Sequence, residues 1–421
     1  MKKINNLAQS GACRPHPFRR PGNIRWPLPV TGALLGLVAS IQTVCAQNWT
    51  QTLAPEENWT AIAGSADGSK LVAVADNEPG EIYTSTDSGL TWTNANAPSQ
   101  SWTGVASSAD GTKLVAVGNN YPGGIYTSTD SGATWSNQNA PTAEWSGVAS
   151  SADGTTLVAI SDDDPNGSVY VSADSGVTWE PTDVPGDSWT SVAGSADGTK
   201  WVASEDNNPG GVYTSTNSGV NWNPANSPSG EWESVASSVD GTVLAVVGNN
   251  YPTGPVSVST DSGTTWPLVS ATPDNYFVIV SSANGKRLVA ASQYIEGVSG
   301  VIYLSKNSGR SWQNMNAPQM VWSSITSSAD GLKLAAVANG GGIYTWQATP
   351  VPQLSLACSP GSIGISWPIP SLNFRLQQNS NPGSTNWTEV TTPPVLNLTN
   401  LQNQVVLPVS GGSQFFRLTG P

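Results

Sequence analysis

Histidine is all but missing from this chain: His16 is the only one among 421 residues. Cysteine is scarce too, with Cys13, Cys45 and Cys358 alone. Beyond the first 46 residues no histidine and a single cysteine remain, which excludes a His-based triad and His/Cys metal sites. No intrachain disulfide can form there either. Charge is thin: Asp, Glu, Lys and Arg make up 11% of the chain, against about a quarter in ordinary globular proteins. Ser, Thr, Asn and Gly carry solubility instead. What charge there is leans acidic, with a formal net of −13. Six of the 16 Lys and Arg residues precede Gln47, and all 29 Asp and Glu residues follow it. That imbalance argues against nucleic acid or an anionic membrane as partner. No Gly-rich loop ends in the Lys-Ser/Thr of a P-loop, and no dinucleotide fingerprint follows a strand.

What the chain has in abundance is tryptophan, glycine and periodicity. The stretch Ser128-Thr129-Asp130-Ser131-Gly132-Ala133-Thr134-Trp135 recurs at Ser85 to Trp92, Ser172 to Trp179, Ser215 to Trp222, Ser259 to Trp266 and Ser305 to Trp312. The third position reads Asp87, Asp130, Asp174, Asn217, Asp261 and Asn307, in steps of 43, 44, 43, 44 and 46 residues. A fixed period of this size marks a repeat architecture. Within one repeat, Trp102 to Ser108 alternates as a strand and Ala109-Asp110-Gly111-Thr112 turns. Lys113 to Gly118 is a more apolar strand, Asn119 to Gly123 a loop, and Gly124 to Ser128 a third strand. The recurring turn then leads into a fourth strand at Thr134-Trp135-Ser136. Four short strands separated by Gly, Pro, Asn and Asp turns make one propeller blade.

The pattern Ser-x-Asp-x-Gly-x-Thr-Trp resembles the Asp-box of the BNR/sialidase-like β-propellers, over roughly residues 48 to 346. In each box the acid is expected to accept backbone N–H groups of its own turn, and Gly132 and its counterparts to supply a left-handed backbone angle. Asn217 and Asn307 can do the first of these but cannot donate a proton or ligate a cation strongly, so the six positions read as structural. The resemblance also raises an enzyme. Sialidases clamp a substrate carboxylate with three arginines, whereas the repeats here hold only Arg287 and Arg310, so sialidase activity is not expected. A glycan-processing hydrolase working through two carboxylates is the alternative reading. The repeats are also similar to the propeller-type photosystem II assembly factors, a resemblance that implies an arginine-rich patch with no counterpart in this sequence.

First strands open at Trp59, Trp102, Trp145, Trp189, Trp232, Phe277 (with Tyr276) and Trp322, seven openings against six boxes. The seventh repeat stops at Ile343-Tyr344-Thr345-Trp346. Asn48-Trp49-Thr50-Gln51 supplies a fourth strand with no first three. It is expected to pair near Ile343 and close the ring, which protects strand edges. The fold class is therefore all-β: a seven-bladed β-propeller closed by an N-terminal strand, plus a small C-terminal β-sandwich.

Residues 1–46 carry a basic stretch, the largely apolar Leu28 to Ala46 and a small-residue end at Val44-Cys45-Ala46, and read as a secretory signal peptide; an uncleaved anchor is the alternative. Residues 47–347 are the propeller. Residues 348–352, Ala-Thr-Pro-Val-Pro, are a linker. Residues 353–421 resemble the fibronectin-III-like module of secreted bacterial proteins, with strands around Gly364–Trp367, Asn373–Gln377, Trp387–Val390, Gln404–Leu407 and Phe415–Leu418. Cys358 reads as a buried strand residue.

Strand order assigns the loops to faces. The turn after strand one and the box share one face. The loops after strands two and four share the other, which gathers Asp76, Glu78, Tyr121, Asp162, Asp163, Asp164, Asp206 and Tyr251, with Glu56, Glu57, Glu144, Asp187 and Glu231 from the inter-blade loops. Acids and amides there can hold a glycan or a protein. No cofactor is expected, although hard oxygen ligands at Asp162 and Asp164 would suit calcium. The same residues are also those that solvated turns need. The functional expectation is a secreted, periplasmic or cell-surface, monomeric, non-catalytic scaffold for an extracellular protein or polysaccharide.

Overall fold

A computed structural model describes residues 36–37, 49–77, 80–120, 123–137, 140–162, 167–184, 188–206, 210–248, 255–269, 276–292, 300–348, 354–359, 361–368, 375–380, 386–397, 402–408 and 414–419. Every regular element among them is a strand. The chain falls into two compact units, one of Gln47–Ala348 and one combining Met1–Ala46 with Thr349–Pro421.

The larger unit repeats one antiparallel sheet. In the second repeat Trp102–Ser107, Leu114–Gly118, Ile125–Ser128 and Ser136–Asn137 pair in sequence order. The second strand is the most apolar because it is covered on both sides: Leu114 to Gly118 is buried throughout, as are Leu71–Ala75, Leu157–Ser161 and Leu288–Ser292. A bulge recurs at the same point of each repeat: Trp102 pairs with Gly118 and Gly104 with Val117, and Thr103 between them is left without a partner in the register. Trp59, Trp102, Trp145, Trp189, Trp232 and Trp322 are fully buried, and most meet a tyrosine of their own third strand edge-on, as Trp102 meets Tyr126 at 5.3 Å. In the sixth repeat the equivalent residue is Tyr276, fully buried and paired with Ser292; Phe277, the expected opening, falls in the bulge before Val278 and is only half-buried.

The fifth repeat departs from the four-strand rule. Its sheet has three strands, and the fourth is reduced to a single bridge between Ser257 and Leu268. Pro267, which follows Trp266, cannot donate to a ladder. Its carbonyl is still used, accepting from Val258 N at 3.3 Å and Ser257 Oγ at 3.1 Å.

Neighbouring repeats are stitched by hydrogen bonds that return to their start. Ala66 N donates to Ala109 O, Ala109 N to Ala152 O, Ala152 N to Ala196 O and Ala196 N to Val239 O. Val239 N then donates to Ala283 O, Ala283 N to Ala329 O, and Ala329 N to Ala66 O, all at 2.7 or 2.8 Å. A second set runs deeper: Thr60 Oγ1 donates to Trp102 O at 2.7 Å, and Ser323 Oγ to Trp59 O at 2.6 Å. The last sheet, Trp322–Ser327, Lys333–Gly341 and Ile343–Gln347, takes its fourth strand from the start of the unit. Thr50 pairs with Thr345 and Gln51 with Tyr344, and Thr52 N donates to Ile343 O at 2.8 Å. Lys333–Gly341 also pairs with the first repeat at Asn339–Asn58 and Gly341–Glu57.

The smaller unit has two four-stranded sheets. One holds Ser355–Ser359, Ser362–Pro368, Gln402–Pro408 and Val395–Asn397. The other holds Arg375–Asn379, Thr388–Glu389 and Phe415–Thr419, with Gly36–Leu37 paired parallel to Phe415–Phe416. Ile365, Trp367, Leu376, Val405, Phe416 and Leu418 form one core between them. Cys358 lies in the strand Ser355–Ser359, opposite Ile363.

Candidate functional site

The recurring turn is a hydrogen-bonded lock. Ser128 Oγ donates to Asp130 Oδ1 at 2.8 Å and accepts from Gly132 N at 2.9 Å. Asp130 Oδ1 also accepts from Thr134 N, and Oδ2 from Thr134 Oγ1. Ser131 and Gly132 both have positive φ, and Trp135 Nε1 closes the turn onto Gly132 O at 3.1 Å. Asp87, Asp174 and Asp261 repeat this arrangement. Asn217 and Asn307 accept the same backbone bond, from Asn221 N at 3.0 Å and Ser311 N at 2.9 Å. The buried member is the serine, 3% exposed, while Asp130 is exposed. The turn after strand one is built alike: Ser108 Oγ and Thr112 N both donate to Asp110 Oδ1, and these bonds hold its carboxyl down at about 2.

On the opposite face the structure describes three of the eight proposed ligand residues. Asp76, Asp162 and Asp206 each follow a second strand and each donates its N–H to an inter-repeat carbonyl, of Asn58, Glu144 and Ser188 respectively. Asp162 and Asp206 are exposed and meet at one seam: Ser188 Oγ donates to Asp162 Oδ1 while Ser188 O receives Asp206 N at 3.3 Å. Asp76 belongs to a different seam and is half-buried, with Oδ1 enclosed and without a partner among the described residues. Glu78, Tyr121, Asp163, Asp164 and Tyr251 lie outside the described residues, and so does half of the proposed calcium pair. Among the described residues no three carboxylate, histidine or cysteine side chains converge as a metal site. The opening tryptophans are sealed between repeats and cannot stack on a ligand.

The sequence places Glu57 on this face, but its partnership with Glu81 and the burial of Glu205 emerge only in the fold. Glu57 and Glu81 flank the first seam. Tyr83 Oη donates to Glu81 Oε2 at 2.7 Å, and Asn77 Nδ2 donates to Glu57 Oε2. Burial first, and the nearby Glu81 charge second, push the Glu57 carboxyl up; burial and Glu81 push the Tyr83 phenol up to about 12. Glu205, 5% exposed, ends the second strand of the fourth repeat. Aligning the repeats gives the signal for both. Glu81 stands where others carry Gly124, Ser168 or Gly211, and Glu205 where others carry Ala75, Gly118 or Ser161.

No family model matches the chain, and no curated protein matches it. Solved structures do. One described as YCF48 bound to D1 peptide is 15% identical, with a TM-score of 0.56 over 75% of this chain and all of that one. YCF48 from Cyanidioschyzon merolae is 16% identical, with a TM-score of 0.53 over 71% of this chain and 99% of that one. Kuenenia stuttgartiensis hydrazine synthase is 17% identical, with a TM-score of 0.56 over 70% of this chain and 97% of that one. At these identities the likeness is one of fold, and the fold is a β-propeller.

Proposed function

We propose that this chain is a secreted, non-catalytic binding scaffold that takes a basic segment of a protein on its acidic face. The observation that carries the reading is the meeting of exposed Asp162 and Asp206, from successive repeats, around Ser188. Exposed acids carried on strand ends that share Ser188, Asp162 through its carboxylate and Asp206 through its backbone N–H, attract Lys and Arg and steer their approach. The neighbour bound to D1 peptide supports a polypeptide ligand for a propeller of this shape. In this reading residues 1–46 are removed as a signal peptide. The propeller has seven blades of Asp-box type closed by Thr50–Gln51, and the C-terminal unit is a fibronectin-III-like sandwich that spaces or attaches it. The protein works as a monomer outside the cytoplasm. Residues 47–421 should bind a labelled oligo-lysine peptide, weakening with salt. The pair Asp162→Asn and Asp206→Asn should weaken it about tenfold or more; unaltered binding sinks the reading. A melting scan with millimolar calcium, against magnesium, tests the ion at Asp162 and Asp164: a calcium-specific rise supports it, and no rise removes it.

One observation favours the glycan-processing alternative. Glu57, which accepts from Asn77 Nδ2, and Glu81, which accepts from Tyr83 Oη, lie near enough for the Glu81 charge to add to burial in raising the Glu57 carboxyl, a difference of the kind that an acid and a base need. Hydrolysis of aryl glycosides that is abolished by Glu57→Gln would support it, and no turnover on a glycoside panel would dismiss it.

A further inference from the structure

The opposite face, where the recurring turns lie, carries an imbalance confined to one repeat. In the sixth repeat the turn after strand one has Asn284 where the flanking repeats have Asp240 and Asp330, and the recurring turn has Asn307. Both amides keep the structural bonds of the lost acids. Asn284 Oδ1 accepts from Ser282 Oγ at 3.1 Å and Lys286 N at 3.0 Å, and Asn307 Oδ1 accepts from Ser311 N at 2.9 Å. The backbone bonds are preserved and the charge is gone; at Asn307 the second bond also turns round, Nδ2 donating to Ser311 Oγ at 2.8 Å where Asp130 Oδ2 accepts from Thr134 Oγ1. The same two turns add Lys286, Arg287, Lys306 and Arg310.

These cations share one place. Leu288 pairs with Ser305, so Arg287 and Lys306 leave adjacent strand ends side by side. Ser308 N donates to Lys286 O at 2.9 Å, tying the two turns together. Lys286, Lys306 and Arg310 are exposed and Arg287 is half-buried. None is in an ion pair among the described residues, where the one salt bridge joins Arg375 and Glu389. Burial first, and the Arg287 charge second, lower the Lys306 ammonium; Arg287 in turn lies near the turn of the next repeat, where it helps to hold the Asp330 carboxyl down. Beside the patch lies Val239, 49% exposed, its N–H on Ala283 O at 2.8 Å, at a position where the other repeats place alanine.

We propose that the turn face of the sixth repeat, centred on Lys286, Arg287, Lys306 and Arg310, is a docking surface for an acidic polypeptide segment carrying an apolar side chain. The guanidinium groups of Arg287 and Arg310 suit carboxylates, which they can bind two-pronged. Val239 offers apolar contact that a polypeptide can use and a sulfated sugar cannot. Asp240 and Asp330 on the flanking repeats confine the anion to this blade by repulsion.

The test uses the full chain and a labelled peptide of glutamates flanking one leucine, with a sulfated oligosaccharide of equal charge as the competing probe. The peptide should bind at low salt and weaken as salt rises. The double change Asn284→Asp with Asn307→Asp restores acids that equivalent turns already accommodate. It should keep the unfolding midpoint and weaken the peptide about tenfold or more. Val239→Ala should weaken the peptide and leave the oligosaccharide unaltered. No peptide binding, equal binding by the double variant, or tighter binding of the oligosaccharide would each overturn the proposal. Oligo-lysine binding at Asp162 and Asp206 is read separately, so either face can fail alone.

Discussion

Ala329 donates its N–H to the carbonyl of Ala66, 2.7 Å away, and so bonds the last repeat of the larger unit to the first across 263 residues of sequence. The same bond links every other adjacent pair of repeats, so this junction is chemically no different from the rest. Its sheet is nevertheless made from two ends of the unit, and its fourth strand, Thr50–Gln51, follows directly on Trp49 at the N-terminal end.

That division makes Trp49 a sensitive position. It is 8% exposed and packs against Trp322 with ring centroids 6.1 Å apart. Trp49→Ala removes a large buried side chain and leaves a cavity, which typically costs about 3–5 kcal/mol. Urea unfolding should show a clearly lowered midpoint. Thr50→Ala, at an exposed residue of the same strand, should leave it nearly unmoved. Equal midpoints for Trp49→Ala and the parent would mean that the edge strand contributes nothing to closure.

Much of this architecture is legible in the sequence because each repeat solves the same packing problem with the same residues. Trp102 and its counterparts, the buried Leu114–Gly118 type of strand and the Ser-x-Asp-x-Gly turn recur in register, so one repeat read well predicts the others. The pattern misleads where a repeat breaks its own rule: Tyr276 takes the buried place expected of Phe277, and Pro267 cuts a fourth strand to one bridge. The candidate sites are less legible, because a charge acts through its neighbours in space. Glu57 and Glu81 are 24 residues apart in sequence, and Arg287 and Lys306 are 19 apart. Only strand register brings each pair together.

The recurring turn predicts an inequality between its two polar residues. Ser128 is buried and serves both Asp130 and Gly132 N. Ser128→Ala leaves an enclosed N–H without its acceptor, at about 1–3 kcal/mol. Asp130→Asn should cost less, since Asn217 and Asn307 hold equivalent turns with an amide. Thermal unfolding of the two variants checks the order; a larger loss for Asp130→Asn would make the charge, rather than the serine, the lock.

The turns after strand one predict the acid limb of stability. Asp67, Asp110, Asp153 and Asp240 are held at about 2, against an ordinary 3.8, chiefly by a serine hydroxyl and a backbone N–H. A carboxyl depressed in the folded state stabilises above its unfolded pKa and loses that contribution as pH falls through the folded value. Stability should therefore drop between about pH 4 and pH 2. Asp110→Asn, which copies the amide that Asn284 places in the equivalent turn, should keep the fold and flatten part of that slope. Urea midpoints measured across this range give the slope directly, and an unaltered slope in the variant would place the acid limb elsewhere.

Glu57 predicts the opposite sign. Its carboxyl is raised, first by burial and then by Glu81, so the folded state holds a proton that the unfolded chain has released. Its contribution is most favourable below the ordinary 4.5 and declines as pH rises through the folded value. Glu57→Gln retains an oxygen that can accept from Asn77 Nδ2 and abolishes the titration. The stability of this variant relative to the parent should accordingly increase from about pH 4 to pH 7. Replacing Glu81 with Gln should lessen the same decline in the parent by removing the second cause while leaving burial in place. If the Glu57→Gln difference is flat across this range, the carboxylate pair is uncoupled, and the acid and base roles assigned to it lose their physical basis.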